Sequence, residues 1–197
     1  LLGEAETSVR DFVSAFKNGR NMEGVKSLAY RKNGEVYIDR TVKIIDNIDD
    51  VPFPSLHLIK NDLYYNILTK RRNFTAMLSA RGCPYRCTFC NQYQTPWRER
   101  SPDNLVAEIK YNYENFGIQE IDFYDTTFTA NKKRAIAICE AIVRENLDIS
   151  WTIRTRVDSV NEKVLDALKS AGCHTVMYGI ESSNREILKM MKKKALK

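Results

Sequence analysis

The chain has 197 residues, 43% of them hydrophobic, which is enough for a buried core and excludes an intrinsically disordered chain. No stretch reaches the roughly 18 consecutive apolar residues of a membrane span, and no signal peptide is visible, so we expect neither feature. The formal net charge is +6, but 31 basic residues are accompanied by 25 acidic ones, and this mixture gives no reason to expect a nucleic-acid partner.

The five cysteines indicate a reducing compartment. Three of them fall within eight residues, and an odd total does not fit a framework of disulfides. Clustered cysteines of this kind are typical of metal ligands in a protein that stays in the cytoplasm. We therefore expect a cytoplasmic, metal-binding protein.

The first 45 residues predict a helix and a hairpin. Thr7 or Ser8 is predicted to cap the helix, since both carry a hydroxyl group ahead of an apolar stripe. The stripe consists of Val9, Phe12, Val13 and Phe16. Further along the chain, the pair Asn33-Gly34 favours a type I′ turn and predicts a hairpin.

Residues 46–70 predict a linker. This stretch begins with acidic residues and carries Pro52 and Pro54 at alternate positions. Proline fixes the backbone and removes a hydrogen-bond donor, so regular pairing is interrupted there. The sequence also starts at a leucine and stops at Lys197 inside a helical pattern, so we expect an internal piece of a longer protein.

Residues 71–197 predict alternating strands and helices. The predicted strands are 74–80, 119–124, 149–154 and 174–180. The predicted helix starts are Ser101, Asn131, Asn161 and the neighbourhood of Ser183. Four βα units with short connections predict an α/β fold with a parallel sheet and helices outside it. Because four strands cannot close a barrel, we expect a partial (βα) barrel.

Three cysteines follow the first predicted strand. Cys83, Cys87 and Cys90 have the spacing C-x3-C-x2-C, and such thiolates bind zinc, copper(I) or iron–sulfur clusters. Structural zinc sites and closed iron–sulfur sites take four protein ligands, and no fourth ligand lies at a suitable spacing. The remaining candidates are interpreted as packing residues: Cys139, Cys173 and His174. The loop therefore suggests a cluster with one iron open to a substrate or cofactor.

The cysteine loop resembles the signature of radical S-adenosylmethionine (SAM) enzymes, in which an aromatic residue, here Phe89, precedes the third cysteine. Later segments resemble the subgroup of that family with an N-terminal cobalamin-binding domain. These segments are 97–102, 121–129, 154–158 and 179–182. The resemblance implies that residues 71–197 are the first part of a radical SAM core. It also implies that residues 1–45 are the C-terminal part of a Rossmann-like cobalamin-binding domain.

The resemblance also implies the cofactors. In this family the three cysteines, here Cys83, Cys87 and Cys90, hold a [4Fe-4S] cluster whose open iron binds SAM, and an electron from the cluster cleaves SAM to a 5′-deoxyadenosyl radical. Cobalamin is implied as well, bound mainly by residues upstream of Leu1, although Ala5 departs from the usual Gly-Glu-Gly-Glu turn. The implied partners are a flavodoxin or ferredoxin as electron donor and a small-molecule substrate of unknown identity.

Four further residues are implied to contact SAM, because they lie in the cysteine loop or at strand ends, where parallel barrels place functional groups. They are Phe89 at the adenine, Asp125 at the amino group, Arg156 at the ribose or carboxylate, and Glu181 at the hydroxyl groups or amine. Structural alternatives remain open. Asp125 and Glu181 could cap the segments that follow them, and Arg156 could pair with Asp158. No catalytic side chain is assigned.

The implied reaction is hydrogen abstraction from an unactivated carbon, followed by cobalamin-dependent methyl transfer or a ring closure. One alternative is a radical SAM methylthiotransferase. Its second cluster requires further cysteines upstream, and residues 1–82 contain none. An alternative of another class is a non-catalytic module that binds an iron–sulfur cluster or zinc.

Overall fold

The computed structural model describes residues 1–19 and 22–193. The chain forms two compact units, Leu1–Val51 and Pro52–Lys197, and the second carries the cysteine loop. The predicted helical pattern toward Lys197 lies partly outside the described residues. None of the described helices is long and apolar enough to cross a membrane.

The first unit begins with helix α1 (Glu6–Lys17). The N–H of Val9 donates to the carbonyl of Ala5 at 2.7 Å, so the first turn already closes on Ala5. The predicted cap at Thr7 or Ser8 is therefore wrong, because both residues lie inside the first turn. Most of the predicted apolar stripe is exposed: Val9, Val13 and Phe16.

A hairpin completes the first unit. Strands β1 (Ala29–Lys32) and β2 (Glu35–Ile38) pair antiparallel. The two turn residues between them, Asn33 and Gly34, have φ angles of 53° and 84°. Left-handed conformations at both central positions define the type I′ turn, so the predicted hairpin is confirmed.

The second unit is built on a parallel sheet. Strand β3 (Phe74–Met77) is shorter than predicted, because the chain then leaves this sheet to form a separate antiparallel pair, β4 (Ala80–Arg81) with β5 (Arg98–Glu99). The cysteine loop connects β4 to β5. The remaining strands are β6 (Glu120–Phe123), β7 (Ser150–Arg156) and β8 (Cys173–Gly179). The order β3-β6-β7-β8, with parallel neighbours, confirms the predicted α/β fold and partial barrel.

Helices alternate with these strands along the chain. They are α2 (Pro102–Phe116), α3 (Lys132–Arg144), α4 (Glu162–Ser170) and α5 (Arg185–Met190). Ser101, Asn131 and Asn161 cap the first three, since each side chain accepts a bond from a backbone N–H three residues further on. The helix predicted near Ser183 begins at Arg185 and is capped by Asn184, whose side-chain oxygen Oδ1 accepts bonds from the N–H groups of Glu186 and Ile187.

One face of the sheet packs against these helices. Alternate strand residues and inward helix residues form one apolar core. Its largest members include Leu105, Ile109, Phe123, Phe128, Ile138, Ile142, Trp151, Ile153 and Leu168. The indole Nε1 of Trp151 donates to the carbonyl of Ala171 at 2.7 Å, so its polar atom is satisfied within the core.

The opposite face of the sheet is polar and charged. Asp122 binds Arg154 at 2.6 Å, and Glu120 Oε1 lies 2.7 Å from His174 Nε2. Residues 66–71 donate hydrogen bonds to the same two carboxylates: the side-chain amide of Asn66 to Asp122, and the backbone N–H groups of Lys70 and Arg71 to Glu120. This segment therefore covers part of the inner face of the barrel, while the C-terminal strand ends line a cavity.

Candidate functional site

A cavity of about 370 Å³ is lined by the C-terminal ends of the parallel strands and by the cysteine loop. The lining includes six of the seven predicted site residues: Cys83, Cys87, Phe89, Cys90, Arg156 and Glu181. Asp125 is not among the lining residues. Side chains from the cysteine loop and from the ends of β7 and β8 therefore share one space.

The cysteine loop is closed by a tight approach of its two ends. Gly82 has a φ of 76°, and a Cβ atom there would clash with the carbonyl oxygen of Thr95 and lie 2.5 Å from that of Pro96. Only glycine fits this position without displacing backbone. The N–H of Thr88 also donates to the carbonyl of Met191 at 3.2 Å. The three thiols that the loop carries are partly exposed and free of disulfides.

Arg156 is held beside the cysteines in one orientation. Its guanidinium donates two bonds to Asp158, at 2.8 and 2.7 Å, and lies 4.1 Å from the ring centre of Tyr85. Its Nη1 is 3.5 Å from Sγ of Cys87. The bonds to Asp158 raise the pKa of Arg156, so the side chain is a permanent cation. Arg156 therefore pairs with Asp158 and also lines the cavity. The pair with Asp158 orients the guanidinium toward Cys87.

Glu181 follows β8 in a left-handed conformation, with a φ of 67°. Its Oε1 accepts a bond from Lys193 Nζ at 2.7 Å, and the same ammonium donates to the carbonyl of Gly179 at 2.8 Å. Lys193 Nζ also lies 6.0 Å from the ring centre of Phe89. Because Asn184 caps α5, the Glu181 carboxylate does not serve as the helix cap, and it contributes a negative charge to the cavity.

Asp125 is buried and engaged elsewhere. Its Oδ1 accepts bonds from the N–H groups of Ser79, at 2.7 Å, and Ala80, at 3.3 Å, and its Oδ2 accepts from the Ser79 hydroxyl. Burial raises the pKa of Asp125, while hydrogen bonds from Ser79 and the charge of Arg134 act in the opposite direction. The predicted contact with the amino group of SAM is not supported by this position. The structure favours the alternative, a strand-end carboxylate that holds a turn.

Two cations of the cavity were not predicted from the sequence. Arg154 binds both carboxylate oxygens of Asp122, at 2.6 and 3.0 Å, and lies 4.0 Å from the ring centre of Tyr124. The alternation of side chains along β7 could have identified it, because Arg154 is two residues from Arg156 and shares its face. Lys193 belongs to a run of lysines, and nothing in that run distinguishes it from its neighbours.

The cysteines outside the loop lie in the core. Cys139 is 2% exposed, and Cys173 packs against the core. Burial raises the pKa of both thiols to about 12, so both stay protonated at neutral pH. Metals bind the thiolate form, so these positions agree with the interpretation of both residues as packing residues. His174 is likewise engaged, with Glu120.

The lining of the cavity fits a [4Fe-4S] cluster and SAM. Among the described residues, no three cysteine, histidine or acidic side chains converge on a single metal ion. In a four-iron cluster each thiolate binds a different iron, so the thiols need to surround a shared space, as they do in this cavity. The positive charge of Arg156 would offset the negative charge of a cluster bound by thiolates. Glu181 and Lys193 offer partners for the ammonium and carboxylate groups of SAM.

Fold and loop together define an α/β protein with a partial barrel and a three-cysteine loop at its strand ends. The sequence profile of the radical SAM superfamily matches residues 77–197, and the chain belongs to that superfamily. An uncharacterised methyltransferase of Pyrococcus horikoshii is 41% identical over 194 residues. The anaerobic magnesium-protoporphyrin IX monomethyl ester cyclase of Synechocystis is 27% identical over 197 residues. These alignments cover 97% of this chain but 42% and 38% of the two relatives, so the chain spans about two-fifths of their length.

Two solved structures have the same fold. The cobalamin-dependent SAM radical enzyme OxsB, determined with aqua-cobalamin and SAM bound, superposes with a TM-score of 0.74 and 23% identity. That match covers 98% of this chain and 29% of OxsB. The radical SAM methyltransferase TsrM from Kitasatospora setae superposes with a TM-score of 0.70 and 18% identity, over 98% of this chain and 39% of TsrM. At these identities the likeness shows the fold.

Proposed function

We propose that this chain is the cluster- and SAM-binding part of a cobalamin-dependent radical SAM enzyme. The proposed reaction is methyl transfer to, or ring closure on, an unactivated carbon of a small molecule. The observation that carries the proposal is the single cavity that the three loop cysteines share with Arg156 and Glu181. The methyltransferase and cyclase relatives support the reaction types, and the likeness to OxsB supports cobalamin.

The residues of the cavity have distinct proposed roles. Cys83, Cys87 and Cys90 would hold the cluster through their thiolates. When bound, the cluster and SAM supply a 5′-deoxyadenosyl radical. Arg156 would bind an anionic group of SAM, and Glu181 would accept hydrogen bonds from its ammonium or hydroxyl groups. The ring of Phe89, which is 56% exposed, would cover the adenine.

Two further components are proposed from outside the cavity. Cobalamin would be bound mainly by residues upstream of Leu1, with residues 1–45 as the end of its domain. A flavodoxin or ferredoxin would deliver the electron, since no described side chain of the cavity carries out one-electron reduction. The reducing conditions of the cytoplasm would keep the loop thiols available for the cluster.

The experiment is anaerobic reconstitution of the protein with iron and sulfide. Cys87→Ala removes one thiolate, and Cys139→Ala is the matched control, because it removes a buried cysteine outside the cavity. We expect the wild type and Cys139→Ala to bind four irons. After one-electron reduction with dithionite, both should show an electron paramagnetic resonance (EPR) spectrum that SAM changes, and both should form 5′-deoxyadenosine. Cys87→Ala should lose all three properties.

Other outcomes select the alternatives. A colourless zinc protein that is indifferent to SAM would identify a non-catalytic metal module. A stable cluster whose spectrum does not respond to SAM would identify a non-catalytic iron–sulfur module. Transfer of a methylthio group, detected by mass spectrometry of the product, would identify a methylthiotransferase.

A further inference from the structure

A buried polar network lies where the chain leaves β3 for the cysteine loop. Asp125, at 1% exposed, receives hydrogen bonds from the backbone of Ser79 and Ala80 and from the Ser79 hydroxyl. Ser79 lies in the connection between β3 and β4, and Ala80 is the first residue of β4. The carboxylate therefore fixes the segment by which the chain enters the cysteine loop.

Arg134 of α3 holds the same segment from another element. Its Nη2 donates to the carbonyl of Ser79 at 2.5 Å and its Nη1 to the Ser79 hydroxyl at 3.2 Å. Its Nε donates to the carbonyl of Arg100 at 2.7 Å, directly after β5. The N–H of Arg100 in turn donates to the carbonyl of Ser79 at 3.0 Å. Arg134 thus joins the entrance of the loop to its exit.

Thr126, the residue after Asp125, connects this network to the cavity. The Thr126 hydroxyl donates to the carbonyl of Gly82 at 2.8 Å, and Gly82 immediately precedes the first cysteine. Thr126 also lines the cavity. The segment that follows β6 therefore bonds to the start of the loop at two points, once through Asp125 and once through Thr126.

Burying two charged groups at this point costs free energy that an apolar packing would not cost. A fully bonded buried network, however, permits a single arrangement of the segments that it joins. The network joins the two ends of the cysteine loop to the segment that follows β6. A network between these segments can therefore fix the position of the cysteine loop relative to the C-terminal ends of the strands.

We propose that Asp125, Ser79 and Arg134 are positioning residues that set the cysteine loop, and with it the cluster, at the right distance from Arg156 and Glu181. None of the three lines the cavity among the described residues. They act through the loop, so that SAM can reach the open iron and the strand-end side chains at the same time. The inference rests on the proposed function.

The test uses the reconstituted protein and two variants, Asp125→Asn and Ser79→Ala. Glu120→Gln is the matched control, since Glu120 is also a buried carboxylate bonded to backbone N–H groups, but it lies at the start of β6, whereas Asp125 follows the end of that strand. The measurements are iron content, melting temperature, and the SAM concentration that gives half of the EPR change. The variants should keep the iron content, but need about tenfold more SAM, because small misplacements of reacting groups have large effects. Glu120→Gln should need no more SAM than the wild type.

Two results would overturn the inference. One is that Asp125→Asn and Ser79→Ala bind iron normally and reach half of the EPR change at the same SAM concentration as the wild type. The other is an equal increase in Glu120→Gln, which would indicate general destabilisation. Ser79→Ala, which removes only one hydroxyl group, decides the question if Asp125→Asn does not fold. If SAM leaves the wild-type spectrum unchanged, the proposed function fails and this inference fails with it. If instead SAM changes the wild-type spectrum and the variants respond as the wild type does, only this inference fails.

Discussion

At the scale of single residues, Gly82 is the position in the cysteine loop where an added methyl group is expected to displace the backbone. Its left-handed backbone and the carbonyl oxygens of Thr95 and Pro96 leave no room for a Cβ atom. Gly82→Ala should therefore displace the start of the cysteine loop, and the reconstituted protein should lose most of its iron and sulfide. Iron analysis and the absorption spectrum measure this directly.

Gly34→Ala is the control for that substitution. Gly34 also has a left-handed backbone, with a φ of 84°, but nothing lies within 4 Å of the Cβ atom that alanine would add. Gly34→Ala therefore introduces backbone strain of about 1 kcal/mol without a steric clash. Normal iron content in Gly82→Ala would show that the loop adopts another path around the added methyl group, and the tight closure of the loop would then not be needed for the cluster.

The sequence predicted the loop cysteines, Arg156 and Glu181 as site residues, because a signature and strand ends mark them, and the structure brings these residues into one cavity. The sequence left two alternatives open for Asp125, since a strand-end carboxylate can point to the cavity or to a turn, and the structure places it against the turn at Ser79 and Ala80. Its partner Ser79 is 46 residues away along the chain. Lys193 was missed because its role depends on contacts with Gly179 and Glu181 that no local pattern records.

At the scale of elements, helix caps are local signals, and those of α2, α3 and α4 were predicted correctly, whereas the predicted cap of α1 was wrong. Asn161 caps α4 by accepting a bond from the N–H of Val164 at 3.0 Å. Asn161→Ala should lower the free energy of unfolding by about 1 kcal/mol, since it removes a cap without disturbing the core. Urea unfolding measures the change.

Asn161→Ser is the matched variant, because serine caps a helix about as well as asparagine. It should restore most of the lost free energy of unfolding. An equal loss in both variants would mean that Asn161 contributes something other than its cap. No loss in either would mean that the N-terminus of α4 does not need a cap.

The elements that were predicted less well depend on distant partners. The alternation of apolar residues located β6, β7 and β8, but it did not show that β3 ends at Met77, because the residues that follow β3 bond to Asp125, which is distant along the chain. Nor did it show that residues 66–71 cover the inner face of the sheet. Their bonds go to Glu120 and Asp122, about 50 residues further along the chain.

At the scale of the whole molecule, the two units differ in what they contribute. The apolar core and the cavity belong to the second unit, Pro52–Lys197. The sequence predicted the barrel strands, because each βα unit carries its own periodicity and caps. The domain assignment of residues 1–45 and the linker at 46–70 remain predictions, and the structure divides the chain after Val51.

The central claim is that the three-cysteine loop holds a cluster with one iron open to SAM. Electron–nuclear double resonance on the reduced, reconstituted protein tests it most directly, with SAM labelled at its amino nitrogen and carboxylate carbon. We predict hyperfine coupling of both labels to the cluster in the wild type, retained in Cys139→Ala. A cluster that shows no coupling to either label, although SAM is bound, would contradict the claim.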